Sequence, residues 1–282
     1  MNIRLALPEQ SPEQPPERPP EQPPEISEQP PIERGRTAYK VLLVILLASL
    51  LLVTLVFVFP LLTGPQMQHL MSSDWSGYAV ASDLNYPQPM ITSVNASWIV
   101  PTVNVSLRDS FSAVWIGIGG QFDGTLIQAG TEQDSTNGQG SYSAWYEMLP
   151  ADAVTIDSLS VMPGDKMMAS ISLLDPATNT WSIEINDATN KQSFQGNFSY
   201  SSSMLSAEWI VERPIIGSRF TALADFAQVT FTGCVATLGS TVGTVSSFPH
   251  AQITMDNRQN MPLVSVSSLT SKGASFTVTY LD

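Results

Sequence analysis

The stretch Ser206–Arg213, with the sequence SAEWIVER, decides the fold class of the domain that contains it. In an extended conformation, one face of this stretch carries only apolar residues: Ala207, Trp209 and Val211. The opposite face carries Glu208 and Glu212, with Ile210 between them. This alternation with a period of two predicts a β-strand that packs one face on a core and presents two carboxyl groups on the other.

Three further stretches show the same alternation: Ala113–Gly119 (AVWIGIG), Leu126–Glu132 (LIQAGTE) and Ala144–Met148 (AWYEM). Each places polar or aromatic residues opposite its apparent core face: Trp115 beside Gly117 and Gly119, Gln128 with Glu132, and Trp145 with Glu147. Glycines beside a tryptophan leave room for the backbone of a ligand. Spacing alone leaves two interpretations open, a binding face or an exposed sheet face whose carboxylates lie in water.

Charge and residue usage exclude several classes of function. The chain of 282 residues has 25 acidic and 12 basic residues. Of these, residues 65–282 hold 18 acidic (25 minus 7) and seven basic (12 minus 5), a net charge of −11, which argues against a nucleic-acid partner. With Cys234 as the one cysteine, neither an intrachain disulfide nor a cysteine zinc cluster can form. We expect no metal and no cofactor.

Histidine is as scarce as cysteine, with His69 and His250 the two in the chain. His69 lies in a predicted tether, so a histidine-activated nucleophile would have to use His250. No Gly-x-Ser-x-Gly nucleophile elbow accompanies that histidine. If the domain is a hydrolase, its acid–base chemistry is therefore expected to use carboxyl groups.

The first 63 residues differ in composition from the rest. Residues 1–40 are rich in Pro and Glu and predict a disordered tail. Residues 41–63 follow as a predicted transmembrane anchor, because Val41–Phe59 is uncharged and would span about 28 Å as a helix. We interpret residues 64–73 as a tether and 74–282 as a β-domain.

Basic residues on the N-terminal side of the apolar run predict the orientation of the chain: Arg34, Arg36 and Lys40. Positive charge is retained on the cytoplasmic side of single spans. The expectation is a single-pass cell-membrane protein with a cytoplasmic N-terminus and an extracellular C-terminal domain.

From Asp74 onward, short apolar or alternating runs are separated by turn-forming residues and no long helical period occurs. Thirteen strands are predicted: Gly77–Ser82, Thr92–Val100, Ser112–Ile118, Leu126–Ala129, Ser143–Met148, Ser158–Met162, Met167–Leu173, Thr180–Asn186, Phe194–Ser199, Ala207–Val211, Gln228–Thr232, Val264–Ser267 and Ser275–Tyr280. Without a βαβ rhythm, this pattern predicts an all-β fold, an antiparallel double-sheet β-sandwich.

Six segments of this domain, in order, resemble the glutamic peptidase family, the eqolisins: Trp75-Ser-Gly-Tyr, Trp115-Ile-Gly-Ile-Gly, Leu126-Ile-Gln-Ala-Gly, Ala144-Trp-Tyr-Glu, Ser206-Ala-Glu-Trp-Ile-Val-Glu and Ala224-Asp-Phe-Ala-Gln-Val-Thr-Phe-Thr. The resemblance extends over nearly all of residues 74–282. It implies a jelly-roll or concanavalin-like sandwich, and an endopeptidase that cleaves polypeptides at acid pH with a Gln–Glu dyad and no metal.

By the same resemblance, Gln128 and Glu208 take the places of the catalytic pair. Residues that line the family's cleft are matched by Trp75, Trp115, Trp145 and Glu147. A glutamate near its reference pKa of about 4.3 is partly ionised in acid, so Glu208 would accept a proton from the attacking water. The amide of Gln128 would donate a hydrogen bond to the oxyanion.

Three features depart from the family pattern. Gly119 stands where the family usually has Asp, so one hydrogen bond beside the dyad must be missing or replaced. Glu132 stands where an Asp commonly follows the glutamine, and we expect it, with Glu147, to orient Gln128. The disulfides of fungal members have no counterpart here.

A function of another class fits the same pattern. In a membrane-tethered carbohydrate-binding or adhesive sandwich without catalysis, the tryptophans would stack on sugars and the carboxylates would bind hydroxyls or calcium. The same tryptophan face would serve this alternative, and incubation of the purified domain with denatured protein at pH 3–4 would separate the two functions by the presence or absence of cleavage.

Overall fold

The computed structural model describes residues 34–54, 65–257 and 259–281, with side chains from residue 39 onward. Residues 1–33 of the expected tail therefore lie outside the described residues. The chain divides into two compact units, Met1–Leu62 and Thr63–Asp282, which we describe separately.

In the first unit, the described residues form a helix, α1 (Arg34–Val53). The helix begins at Arg34, and its apolar part within the described range, Val41–Val53, is about 20 Å long at 1.5 Å per residue. Among the described residues, no helix is long and apolar enough to cross a membrane, so the expected anchor is not supported. Residues 55–64 of that anchor and tether lie outside the described residues, and the expected membrane location stays a prediction.

The described part of the second unit consists of strands and connecting loops, with one short 3₁₀ turn at Val245–Ser247. The strands, in chain order, are β1 (Met67–Ser72), β2 (Trp75–Ala81), β3 (Ile91–Ile99), β4 (Ala113–Gly119), β5 (Leu126–Thr136), β6 (Gln139–Met148), β7 (Val154–Thr155), β8 (Lys166–Asp175), β9 (Thr180–Asp187), β10 (Gln192–Ser199), β11 (Ser206–Glu212), β12 (Ile215–Ile216), β13 (Arg219–Phe220), β14 (Gln228–Leu238), β15 (Thr241–Thr244), β16 (His250–Met255), β17 (Val264–Val266) and β18 (Ser275–Tyr280).

These strands form two large sheets. The first has the order β1-β16-β2-β11-β4-β5-β6-β7, and the second has the order β10-β9-β8-β3-β14-β18-β17 with β15 beside β14. Strand β1 pairs in parallel with β16, and the other neighbouring strands in these sheets pair antiparallel. The predicted all-β double-sheet sandwich is therefore confirmed.

The core between the two sheets contains most of the large buried side chains, among them Trp98, Trp181 and Trp209. Each indole N–H finds an acceptor inside the protein, which avoids the cost of an unpaired buried donor. Trp209 Nε1, for example, donates to the backbone oxygen of Asn95 at 3.0 Å. The alternation of SAEWIVE thus acts as predicted, because Ala207, Trp209 and Val211 all face this core.

The sequence prediction fails at one predicted strand that is absent and at six observed strands that were not predicted. Ser158–Met162 is a turn and irregular chain, although Leu159 and Val161 are buried. Their alternation reflects burial in the core without strand pairing, and Pro163 follows directly. Strands β1, within the expected tether, and β16 were not predicted, since both mix polar and apolar residues. The short strands β7, β12, β13 and β15, of two to four residues each, were not predicted either.

Gly77 in β2 gives the fold a testable constraint. Its φ of +142° is rarely adopted by other residues, and an added Cβ would lie 2.0 Å from the backbone oxygen of Trp209. We expect Gly77→Ala to lower the free energy of unfolding by about 3 kcal/mol in urea denaturation, through strain and collision with β11. Gly164→Ala is the control, because φ there is +92° but nothing lies within 4 Å of the added Cβ. Equal losses in the two variants would contradict close packing at Gly77.

Candidate active site

The register of four neighbouring strands aligns the expected site residues in one row. Glu208 on β11 pairs with Gly117 on β4, Gly117 pairs with Gln128 on β5, and Gln128 pairs with Glu147 on β6. Directly paired residues project from the same face of a sheet. At about 4.8 Å per strand, the backbones at Glu208 and Gln128 are roughly 10 Å apart. The residue between them has no side chain of its own, and the ends of the Leu126 and Trp115 side chains lie over it, 2.8 Å and 2.9 Å from where a Cβ would stand.

A second row of carboxyl groups lies four residues farther along β11. Glu212 pairs with Ala113 on β4, and Ala113 pairs with Glu132 on β5. Again a small residue separates two polar ones. Both rows project from the face that turns away from the sandwich core, as the alternation predicts.

Trp115 and Trp145 lie between the two rows and flank Gly130. Their side chains are buried, with 0% of Trp115 and 6% of Trp145 exposed. The ring of Trp75 packs edge-on against Trp115, with ring centroids 4.9 Å apart. Buried tryptophan rings cannot stack on sugars, so the carbohydrate-binding alternative is not supported. The interpretation as an exposed sheet face whose carboxylates lie in water is wrong for another reason, because Glu208 is 0% exposed.

Glu208 is completely buried, and neither of its carboxyl oxygens makes a hydrogen bond of ordinary geometry. Burial raises its pKa well above the usual value, and the neighbouring Ser206 hydroxyl and Gln121 backbone N–H lower the pKa by less. The negative charge of Asp123 adds to the increase. This burial acts against the partial ionisation of Glu208 in acid that its reference pKa implies.

Gln128 is 4% exposed. One hydrogen bond fixes the orientation of its side-chain amide. Its Nε2 donates to Glu147 Oε2 at 2.5 Å. Among the described residues, its Oε1 is buried without a hydrogen-bond partner. An amide nitrogen carries two hydrogens, so the second N–H stays available for another acceptor. Glu147 therefore orients the amide, as predicted for it.

Glu212 is held by a tryptophan that was predicted to line the cleft. Trp115 Nε1 donates to Glu212 Oε2 at 2.6 Å. Burial raises the pKa of this carboxyl group to about 7. Glu212 shares a cavity of about 210 Å³ with residues of both rows: Ala113, Gln128, Glu132, Trp145 and Glu147.

The carboxyl groups at the β5 side of this cavity also resist ionisation. Burial raises the pKa of Glu132, whose Oε2 accepts a long hydrogen bond of 3.4 Å from Ser143. Burial and the charge of Glu132 together raise the pKa of Asp134 to about 7. Burial raises the pKa of Glu147 as well, although its hydrogen bond with Gln128 opposes this. Within the described residues, Glu132 accepts from Ser143 and not from Gln128, so orientation of the amide rests on Glu147.

Gly119 explains why the family's usual Asp is absent there. Its φ is +94°, and an added Cβ would lie 2.3 Å from the backbone oxygen of Thr125. No other side chain fits at this position. Asp123 lies in the loop that follows, and its Oδ1 accepts hydrogen bonds from the backbone N–H and the hydroxyl of Thr125.

Sequence reasoning did not assign three neighbours of the predicted pair. Ser206 and the segment with Gln121 and Asp123 surround Glu208, and Glu212 belongs to the cavity beside Gln128. The sequence could have indicated Glu212 as a site residue, because it lies on the same strand face as Glu208. The segment after β4 had none, since loop conformation does not follow from alternation.

The remaining candidates for chemistry lie elsewhere. His250 pairs with Val80, whose side chain faces the core, so this histidine lies on the face opposite Glu208. Its Nδ1 is 2.8 Å from the backbone oxygen of Phe248. In the part of the chain that the structure describes, no cluster of three or more His, Cys, Asp or Glu side chains could hold a metal ion.

Comparisons with known proteins identify the family of the β-domain. The model of the Peptidase A4 family matches residues 73–280. The chain is similar to Aspergillopepsin-2 of Aspergillus niger, with 30% identity over 235 residues, 74% of this chain and 78% of that protein. It is also similar to Scytalidopepsin B of Scytalidium lignicola, with 28% identity over 215 residues, 71% of this chain and 76% of that protein.

Two solved structures share the fold. Scytalido-glutamic peptidase with a transition state analog inhibitor has a TM-score of 0.63 at 22% identity, over 74% of this chain and 99% of that one. Aspergilloglutamic peptidase from Aspergillus niger has a TM-score of 0.55 at 29% identity, over 61% of this chain and 99% of that one.

The raised carboxyl pKa values make stability depend on pH. Carboxyl groups such as Glu212 and Asp134 are protonated in the folded state where unfolded carboxyls, with pKa about 4, are ionised. The folded state therefore binds more protons between about pH 4 and pH 7, and the free energy of unfolding falls as the pH rises through this window. Melting temperatures from pH 3.5 to pH 8 should decline steadily.

Glu212→Gln removes one of these titrating groups. The melting temperature of this variant should therefore decline less steeply with rising pH than that of wild type. Asp83 and Asp175 act in the opposite direction, since hydrogen bonds from the Tyr86 backbone N–H and the Thr178 hydroxyl lower their pKa values. Their contribution is lost only below about pH 4, outside this window. A melting temperature that rises towards pH 8 would contradict the account.

Proposed function

The chain belongs to the Peptidase A4 family, whose members are peptide-bond hydrolases, and from this premise we propose that it is an acid-acting endopeptidase with Glu208 and Gln128 as its catalytic dyad. The observation that carries the proposal is the row Glu208–Gly117–Gln128. Its two polar members are buried, face the same side and retain polar atoms without partners. Buried polar atoms are normally satisfied, so these atoms are expected to meet a substrate and a water molecule.

In the proposed reaction, the peptide carbonyl lies above Gly117, between the two side chains. Glu208 accepts a proton from a water molecule while the water oxygen attacks the carbonyl carbon. The carbonyl oxygen takes the negative charge, and the free N–H of Gln128 donates a hydrogen bond to it. Glu208 then transfers its proton to the amide nitrogen, the C–N bond breaks, and a carboxyl and an amine are released.

The ionisation of Glu208 has to be coupled to the arrival of substrate. In the closed site, burial keeps this carboxyl protonated at acid pH. A hydrogen bond from the attacking water, added to those available from Ser206 and Gln121, would favour the ionised form. The base then becomes ionised when the water that it deprotonates is in place. The amide of Gln128 cannot titrate and keeps its role across the whole pH range.

The surrounding carboxyl groups support an acidic working range. Glu147 orients Gln128 through a short hydrogen bond, and Glu212 and Glu132 share the adjoining cavity. When these groups ionise towards neutral pH, several negative charges face one small cavity and repel one another. Ionisation would also disfavour a second negative charge on Glu208 or on the oxyanion. We therefore expect activity to decline above about pH 6 to 7.

The dyad is tested by removing each member. Glu208→Gln keeps the size but removes the base, so cleavage of a denatured protein at pH 3–4 should fall to near background. Gln128→Ala removes the oxyanion donor and should cost about 100- to 1000-fold in kcat. The double variant should be little worse than Glu208→Gln, because groups that act in one step are not additive.

The second sheet offers a matched control pair. Gln195 Nε2 donates to Glu184 Oε1 at 3.2 Å, also across two neighbouring strands. Glu184→Gln and Gln195→Ala should leave the rate within about twofold of wild type, since neither residue adjoins the cleft. If folded Glu208→Gln cleaved at the wild-type rate, the dyad assignment would be wrong.

A further inference from the structure

The space above Gly117, where the proposed mechanism places the peptide carbonyl, is closed by two side chains. A Cβ added to Gly117 would lie 2.8 Å from Leu126 Cδ1 and 2.9 Å from Trp115 Cζ3, so not even one carbon atom fits there without a shift. The dyad itself is also closed off, since Glu208 is fully buried and Gln128 almost so. A peptide therefore reaches the dyad only after a side chain has moved.

Of the two side chains above Gly117, that of Trp115 is held in place. Its Nε1 donates to Glu212 Oε2 at 2.6 Å, and its ring packs edge-on against Trp75. Rotation of the indole would break a hydrogen bond to a carboxyl group and an aromatic contact, both of which stabilise the present position. Trp115 therefore forms a fixed wall of the site.

The side chain of Leu126 has no such polar attachment. It is apolar, and it rotates about two bonds between staggered conformations. Its backbone, in contrast, is fixed from two sides. The Leu126 N–H donates to the Tyr200 hydroxyl at 2.8 Å, and the Leu126 oxygen accepts from the Leu149 N–H at 2.9 Å. The side chain can therefore turn while β5 keeps its register.

The end of the Leu126 side chain also contacts the segment after β4. A Cβ added to Gly120 in that segment would lie 3.3 Å from both Leu126 methyl carbons and 2.9 Å from Trp75 Cη2. Leu126 and Ile210 belong to one buried apolar cluster, against which Trp75 packs. Burial of apolar surface in this cluster favours the closed position of Leu126 over an open one.

We propose that Leu126 is a gate residue, whose side chain closes the space between Glu208 and Gln128 in the free protein and turns away when a peptide binds. The inference rests on the proposed peptidase function and goes beyond it, because Leu126 takes no part in bond cleavage. The closed gate keeps bulk water from the dyad. It also weakens apparent substrate binding, because only the open fraction of molecules is competent to bind.

Chemical labelling of Glu208 tests the closed state independently of catalysis. A water-soluble carbodiimide with glycine ethyl ester at pH 5 converts accessible carboxyl groups into amides, and mass spectrometry gives the rate at each residue. Leu126→Ala should label Glu208 at least about tenfold faster than wild type, since a minor open state is populated to roughly 0.1–10%. Leu126→Met keeps the volume and should stay close to the wild-type rate. Asp187, which is buried in the second sheet, is the internal reference and should label slowly in every folded variant.

The matched control is Leu159→Ala, which removes the same atoms from a buried leucine in the core between the sheets. It should lower the melting temperature, as Leu126→Ala does, but leave the labelling of Glu208 at the wild-type rate. In peptide cleavage at pH 3.5, Leu126→Ala should lower KM about tenfold with little change in kcat, because no gate has to be displaced. Leu159→Ala should keep the wild-type KM.

If Leu126→Ala labels Glu208 no faster than wild type, relative to Asp187, the gate is overturned while the peptidase function stands. If wild type cleaves no denatured protein at pH 3–4, the proposed function is overturned. The labelling rates would then still decide whether Leu126 closes the site around Glu208.

Discussion

The register of β11, β4, β5 and β6 is the constraint on which the rest of the site depends. It brings together Glu208 and Gln128, which lie 80 positions apart in the chain, across the single residue Gly117. A slip of one residue in either pairing would turn one of the two side chains into the core. The register is secured because the opposite face of the same strands packs into the sandwich core. Packing of the fold and alignment of the site are therefore set by the same strand alternation.

Burial of the polar row Glu208–Gly117–Gln128 costs free energy. The apolar faces of the two sheets, which pack together in the core, offset this cost. A buried carboxyl group without hydrogen bonds is disfavoured in its charged form, and Glu208 avoids that cost by keeping its proton. The neighbouring carboxyl groups behave alike, with pKa values of about 7 for Asp134 and Glu212. An acidic environment is therefore the condition in which this site is both uncharged and compatible with a stable fold. Stability and proposed activity depend on the same protons.

Alternation in the sequence was sufficient to predict the sandwich and the face on which each site residue lies. Trp209 points into the core and Glu208 away from it, as a period of two requires. Alternation does not specify the order of the strands in a sheet, so the placement of β1 beside β16 was not predicted. It also cannot describe loops: burial raises the pKa of Glu208 well above its usual value, and the loop residues Gln121 and Asp123 act on this carboxyl group in opposite directions. At Leu159 and Val161, the alternation correctly indicated buried side chains, but these residues do not form a strand.

The most direct test of the central claim is a crystal structure of the Glu208→Gln variant with an uncleaved peptide bound. The account predicts that the scissile carbonyl carbon lies above Gly117, between residues 208 and 128. The carbonyl oxygen should be about 2.7–3.1 Å from Gln128 Nε2, with a water molecule between the carbonyl carbon and the side chain at position 208. A peptide whose scissile bond lies away from this row, with both side chains still buried beneath the loop, would contradict the account.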